Sequence, residues 1–165
     1  MALTTTVGGA SSDSYATLAD YTARATALGW TLAGTDAANE INLRKATVYL
    51  DANYVWVGIR VASTQALDWP RISNVLVDGY VIDSDTIPQA VKDAQMELAY
   101  LIQGGLNPFA TVTNGAVGRK RSKAGPVETE TEYATTRETP RIVAIEGLLA
   151  PYGRRLASAA AMVRG

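Results

Sequence analysis

Apolar positions recur at helical spacing in three stretches of this chain and alternate at strand spacing in one. The clearest stretch spans residues 82–105, where Ile87, Val91, Ala94, Leu98 and Leu101 fall at steps of three and four, the period of one helix face. Ahead of it, Asp83, Ser84, Asp85 and Thr86 offer capping oxygens, and Pro88 suits a first helical turn. Gly104 and Gly105 predict a left-handed C-cap behind it. Upstream, Leu18, Tyr21, Ala25 and Leu28 predict a helix capped by Thr17 and stopped by Gly29, with Asp20 suiting the helix dipole. Leu43, Ala46, Leu50 and Tyr54 mark another, capped by Thr35 or Asp36 and reaching about Asn53, with Arg44 and Lys45 facing solvent. Each stripe is the ordinary mark of a core helix, and none carries chemistry.

Residues 54–81 break the helical period. Aromatic and β-branched residues are dense, Gly58 and Pro70 interrupt, and Asp78-Gly79 is a turn pair. Short strands around Val55–Val61 and Val75–Val77 are expected inside an ordered connection anchored by Trp56 and Trp69. After Gly105 the chain turns small and polar, and then Val127, Thr129, Thr131 and Tyr133 alternate with Glu128, Glu130 and Glu132. That period of two is a strand with one acidic face. A lone strand needs a partner, and two are open: residues 117–123 in a hairpin, or a neighbouring subunit. Ile142 to Leu149 is apolar and predicts a short helix before Pro151. The pattern predicts a mainly α fold: residues 1–14 as an extended segment, 15–105 as a small helical bundle, 106–141 as an extended arm with a strand or hairpin, and 142–165 as a short helix and tail.

Composition narrows the chemistry. The 165 residues contain no cysteine and no histidine, which removes thiolate sites, disulfides and the commonest general base and metal ligand. No run of eighteen apolar residues is present, and residues 1–14 lack the basic start and apolar run of a signal peptide. Charge is uneven: residues 1–103 carry 6 Lys/Arg against 11 Asp/Glu, a net of −5, and residues 104–165 carry 9 against 5, a net of +4. An acidic globule with a basic arm suits an anionic partner or a second copy of itself.

Candidate sites are few. Asp93 and Glu97 share a helix face at i and i+4, but with no histidine beside them they read as solvated surface. Asp83-Ser84-Asp85 lacks the glycine and distal glutamate of a calcium loop, and the Gly-Gly pairs are not followed by the lysine of a phosphate loop. No serine elbow is visible. An enzyme is therefore not expected, nor any cofactor or metal. The cluster Arg119, Lys120, Arg121 and Lys123 could neutralise phosphates, although three glutamates follow it closely. Trp56 and Trp69 could stack bases, but in a small domain they serve better as core.

Several pieces in order resemble one bacteriophage family: SYATLADYTARATALGW, RKATVYLDANYVWVG, QALDWPR, IDSDTIPQAVKDAQMELA, KAGPVETETEYA and IEGLLAPY. It is similar to the head-tail connector, or adaptor, proteins of long-tailed phages, one branch of which is labelled DnaT-like single-stranded DNA-binding. The resemblance implies a helical-bundle subunit that forms a ring of twelve copies on the portal protein and extends the DNA channel. Its other implied contacts are a downstream tail or stopper protein and non-specific genome DNA, with no membrane. It implies a place at the head-tail interface of the virion after synthesis in the host cytoplasm. By position it places Arg119, Lys120, Arg121, Lys123, Val127, Thr129, Thr131, Tyr133, Ile142, Ile145, Leu148, Leu149, Tyr152, Arg154 and Arg155 at interfaces with partner or neighbouring subunits. The alternative function is single-stranded DNA binding of the DnaT-like type.

Overall fold

The structure, a computed structural model, describes residues 2–73, 76–77, 79–109, 120–124, 127–131 and 142–156. They fall in two compact units: Met1–Pro108 with Ile142–Leu156 forms one, and the hairpin of residues 120–131 belongs to the other. The fold is mainly α, with small two-stranded sheets.

Helix α1 (Leu18–Leu28) starts at a capping box: Thr17 Oγ1 accepts from the Asp20 N–H at 3.0 Å, and the Asp20 carboxylate accepts from the Thr17 N–H at 3.0 Å. Helix α2 (Asp36–Asn53) is capped by Thr35 and buries Leu43, Ala46 and Leu50, as the period requires. Helix α3 (Gln89–Gln103) departs from expectation at both ends. Pro88 is its N-cap and no side chain caps it, because the Thr86 N–H turns back to the Asp83 carbonyl at 3.3 Å and residues 83–86 form their own turn. At the other end Gly104 stays right-handed at φ −71°, and Gly105 takes the left-handed position at φ +100°. Helix α4 is Val143–Leu149.

α3 packs against α2 on one side and α4 on the other, enclosing Leu43, Leu50, Val91, Met96, Leu98, Ile145 and Leu149. The chain returns after α4 as β8 (Gly153–Arg155), which pairs antiparallel with β1 (Tyr54–Trp56), setting Val55 opposite Arg154. Bonds from the Val57 N–H to the Tyr152 carbonyl (3.0 Å) and from the Leu156 N–H to the Asn53 carbonyl (2.8 Å) extend that seam. Residues 142–156 are thus part of the helical unit.

Residues 2–14, expected to be extended or frayed, are tied down. Thr4 and Asp13 exchange two bonds: the Thr4 N–H donates to Asp13 Oδ1 at 2.8 Å, and the Asp13 N–H donates to the Thr4 carbonyl at 2.9 Å. Arg44 on α2 donates from Nε to Asp13 Oδ2 at 2.6 Å and from Nη2 to the Ala2 carbonyl at 2.9 Å. Arg44 is therefore a clamp on the N-terminal segment, whereas Lys45 is exposed.

Three hairpins complete the description. β2 (Ile59–Arg60) pairs with β3 (Arg71–Ile72), β4 (Leu76–Val77) with β5 (Tyr80–Val81) around Gly79, and β6 (Lys120–Ala124) with β7 (Val127–Thr131).

Candidate nucleic-acid interface

The first candidates for base contact, Trp56 and Trp69, are core residues. They are 5% and 1% exposed, and their rings meet edge-on at 5.9 Å. Tyr54 stacks near Trp56 at 5.4 Å, and Tyr152 meets Trp69 at 6.2 Å. The return of the chain through Tyr152 and β8 closes over these rings, so neither tryptophan presents a face to a base. The stacking role considered for them is overturned, and their role as anchors holds.

The segment between them is a polar knot. The Trp69-Pro70 peptide is cis, and Arg71 donates to three carbonyls: Nε to Val57 (2.8 Å), Nη2 to Gly58 (2.7 Å) and Nη1 to Asp68 (3.1 Å). Asp68 Oδ1 accepts from Arg60 Nε at 2.8 Å, and the Asp68 N–H donates to Asp51 Oδ2 at 3.2 Å. Asp51 Oδ1 accepts from the Tyr15 hydroxyl. Burial first, and the nearby Asp68 charge second among the groups that raise it, push the Asp51 carboxyl up to about 6. The same burial, with Asp51 beside it, raises the Tyr15 phenol well above its usual range. Gln65 finishes the knot, donating from Nε2 to the carbonyls of Leu67 (2.8 Å) and Pro70 (3.1 Å). The residues of the QALDWPR piece that bond here hold the connection in shape, and neither its Arg71 nor the nearby Arg60 is free for a phosphate, since both are engaged.

The basic cluster lies on the β6–β7 hairpin. Of the two partners open to the acidic strand, residues 120–124 of the same chain are the ones it pairs with. The register sets Arg121 opposite Glu130, Lys123 opposite Glu128 and Lys120 opposite Thr131. Two cationic positions thus face acidic ones directly across the ladder, an arrangement that favours the hairpin itself. Lys120 has no acidic residue opposite. Val127 and Thr129 are β7 residues, with Val127 set opposite Ala124 and Thr129 opposite Ser122. Arg119 and Tyr133 lie outside the described residues.

In the helical unit, Ile145 and Leu149 belong to the chain's own core, with Ile142, Leu148 and Tyr152 packed against it. Arg155 pairs with Glu146 at 3.3 Å, and Arg154 is exposed.

Two further features carry no mark in the sequence pattern. Trp30 and Tyr100 stack with ring centroids 4.5 Å apart and planes 7° from parallel. The Arg24 guanidinium lies 5.7 Å from the Trp30 centroid and pairs with Asp93 at 2.9 Å and Glu97 at 3.8 Å. Asp93 and Glu97 are therefore joined to α1, which corrects their reading as merely solvated. Below the stack, Tyr100, Leu101, Gln103, Gly104 and Leu106 line an open cleft of about 430 Å³. Second, Ile59, Val61, Ile72, Tyr80 and Val81 are exposed, with Tyr80 at 78% and Ile59 at 67%. These five exposed large apolar side chains, between residues 59 and 81 and on or next to two separate small sheets, are candidates for contact with a partner.

Among the described residues, no group of three or more His, Cys, Asp or Glu is placed to hold a metal ion, and no helix is long and apolar enough to cross a membrane. One family model, described as "Putative DnaT-like ssDNA binding protein", matches residues 1–165. Comparison with curated proteins gives no match, and neither does comparison with solved structures.

Proposed function

This chain belongs to that DnaT-like family, and we propose that it binds single-stranded DNA without reading sequence and without catalysing a reaction. The full-length family match is the observation that carries this reading. Phosphates are the natural ligands of Arg119, Lys120, Arg121 and Lys123, four cations within five residues. Arg121 and Lys123 are set opposite Glu130 and Glu128 in the register, so acidic positions stand beside the cationic ones on this hairpin. Binding through such a cluster is steeply salt-dependent.

The test is fluorescence anisotropy with a labelled single strand over a salt series. The expected result is binding at low salt that falls linearly in log–log form, with Lys120→Glu and Arg121→Glu together flattening the slope by about 1.4, at about 0.7 per phosphate contact on a single strand. Indifference of the wild type to the oligonucleotide at low salt would end this reading.

A second reading, a ring-forming head-tail adaptor of a tailed phage, is favoured by the exposed Ile59, Val61, Ile72, Tyr80 and Val81. Copies arranged around an axis would bury such a region between neighbours, which an isolated DNA-binding subunit does not require. On this reading the partners are the portal protein, other copies of the chain and a tail component, and DNA contact is limited to the channel. Mixing the protein with the cognate portal and imaging the particles separates the readings: added rings favour the adaptor, and bare portals with a bound single strand favour the first proposal.

A further inference from the structure

We infer that the cleft at the C-terminal end of α3 seats one unpaired nucleobase against Tyr100. This rests on the single-strand reading and assigns it a base subsite separate from the cationic hairpin. Tyr100 has one ring face against Trp30, in a nearly parallel pair at 4.5 Å, and it also lines the cleft. A planar ligand entering there extends an existing two-ring stack, the arrangement by which single-strand binders hold bases of any sequence. The opening of about 430 Å³ is of small-molecule size, and Leu101 and Leu106 give it apolar walls. Gln103 is the polar residue of the lining; its Nε2 donates to the Thr31 carbonyl at 3.0 Å, which fixes the side chain at the rim. A wall with so few polar groups suits stacking on any base and not readout of one base's edge. None of the lining residues is a cation, and Arg24, which lies by Trp30, is paired with Asp93 and Glu97. The subsite therefore recognises the base and leaves the phosphate to other residues.

The experiment uses the full chain and two labelled oligonucleotides of equal length and charge, one of dC and one of abasic residues. Wild type should bind the dC strand about fivefold or more tightly than the abasic one, as the loss of one stacked base implies. Tyr100→Leu, which keeps an apolar side chain against Trp30, should erase that difference while leaving abasic binding within about twofold. Because Tyr100→Leu could disturb the fold, Trp30 provides a second measurement in the native protein. Its emission should change with the dC strand and not with the abasic one, and Trp30→Phe should abolish that response. Equal binding of both strands by the wild type overturns the subsite and leaves phosphate-based binding standing. Failure to bind either strand overturns the single-strand reading, and the subsite falls with it.

Discussion

Gln95 Nε2 lies 2.6 Å from Ser14 Oγ, joining α3 to the N-terminal segment across 81 positions of sequence. The same amide nitrogen is 2.8 Å from Thr47 Oγ1 and 3.0 Å from the Leu43 carbonyl on α2, and Gln95 Oε1 accepts from the Ala16 N–H at 2.8 Å. One fully buried side chain thus holds three segments of the chain together. With two protons and three acceptors in reach, Nε2 is saturated, as a buried amide must be.

Gln95→Leu is expected to destabilise the protein by about 2–3 kcal/mol, because it keeps much of the volume but leaves the Ala16 N–H without its acceptor in the interior, whereas the Leu43 carbonyl keeps the Thr47 hydroxyl. Urea unfolding at neutral pH measures this. A loss below about 0.5 kcal/mol would mean that water or a shift of residues 14–16 replaces the amide.

Asp51 sets a pH dependence of opposite sign to ordinary acid denaturation. Its carboxyl titrates near 6 in the folded protein against 3.8 for the free group, so the folded state holds the proton more tightly. The penalty for the buried charge is absent below pH 4, grows as pH rises to about 6 and is constant above, amounting to on the order of 3 kcal/mol. Asp51→Asn removes that dependence, so the wild type should gain on the variant as pH falls from 7 to 4. Carboxyl-carbon NMR gives the midpoint directly, and a value near 4 would sink the argument.

The helices were legible because their stripes repeat every three or four residues: Leu43, Ala46 and Leu50 mark the buried face of α2, which Asn39, Thr47 and Tyr49 share. The alternation of Val127, Thr129 and Thr131 marked β7 in the same way, though its partner strand was an open choice. What escaped was held by single polar residues, which leave no period. Arg44 reaching Asp13 and Ala2 looks in sequence like any solvated cation on a helix, and Arg24 reaching Asp93 depends on how α1 lies against α3. The Trp30–Tyr100 stack joins residues 70 positions apart, and no local pattern announces such a pair. The DWPR piece stood out as a family mark, yet its work at Asp68 and Arg71 is visible only once their carbonyl and carboxylate partners are in place.

Arg71 and Arg60 should separate sharply on mutation. The Arg71 side chain is 12% exposed and gives its fork to three carbonyls, whereas that of Arg60 is 45% exposed and has Asp68 as its ion-pair partner. Lysine cannot reproduce a planar fork, so Arg71→Lys should cost about 2 kcal/mol. Arg60→Ala should cost less than about 1 kcal/mol, as exposed pairs do. Thermal unfolding of both variants checks the order, and equal losses would show that the knot depends on charge and not on the carbonyl contacts.

Gly58 joins β1 to β2 at φ +74°, a conformation that side-chain-bearing residues rarely adopt, and a Cβ there would lie 2.1 Å from the Ile72 carbonyl oxygen. Both faults fall on backbone, which cannot rotate away as a side chain would. Gly58→Ala must therefore part the β2–β3 pair, with Ile59 and Ile72 moving off their register, at a cost of about 2–3 kcal/mol. The consequence reaches function on the adaptor reading, because Ile59, Ile72 and Val61 belong to the exposed apolar region. Gly79→Ala is the control: its φ is +87° but nothing lies within 4 Å of the new Cβ, so it carries backbone strain alone. Gly58→Ala is expected to unfold at lower urea than Gly79→Ala and to lose self-association if copies meet through this region. If Gly58→Ala is no less stable than Gly79→Ala, the close approach of the Ile72 carbonyl is not a constraint in solution.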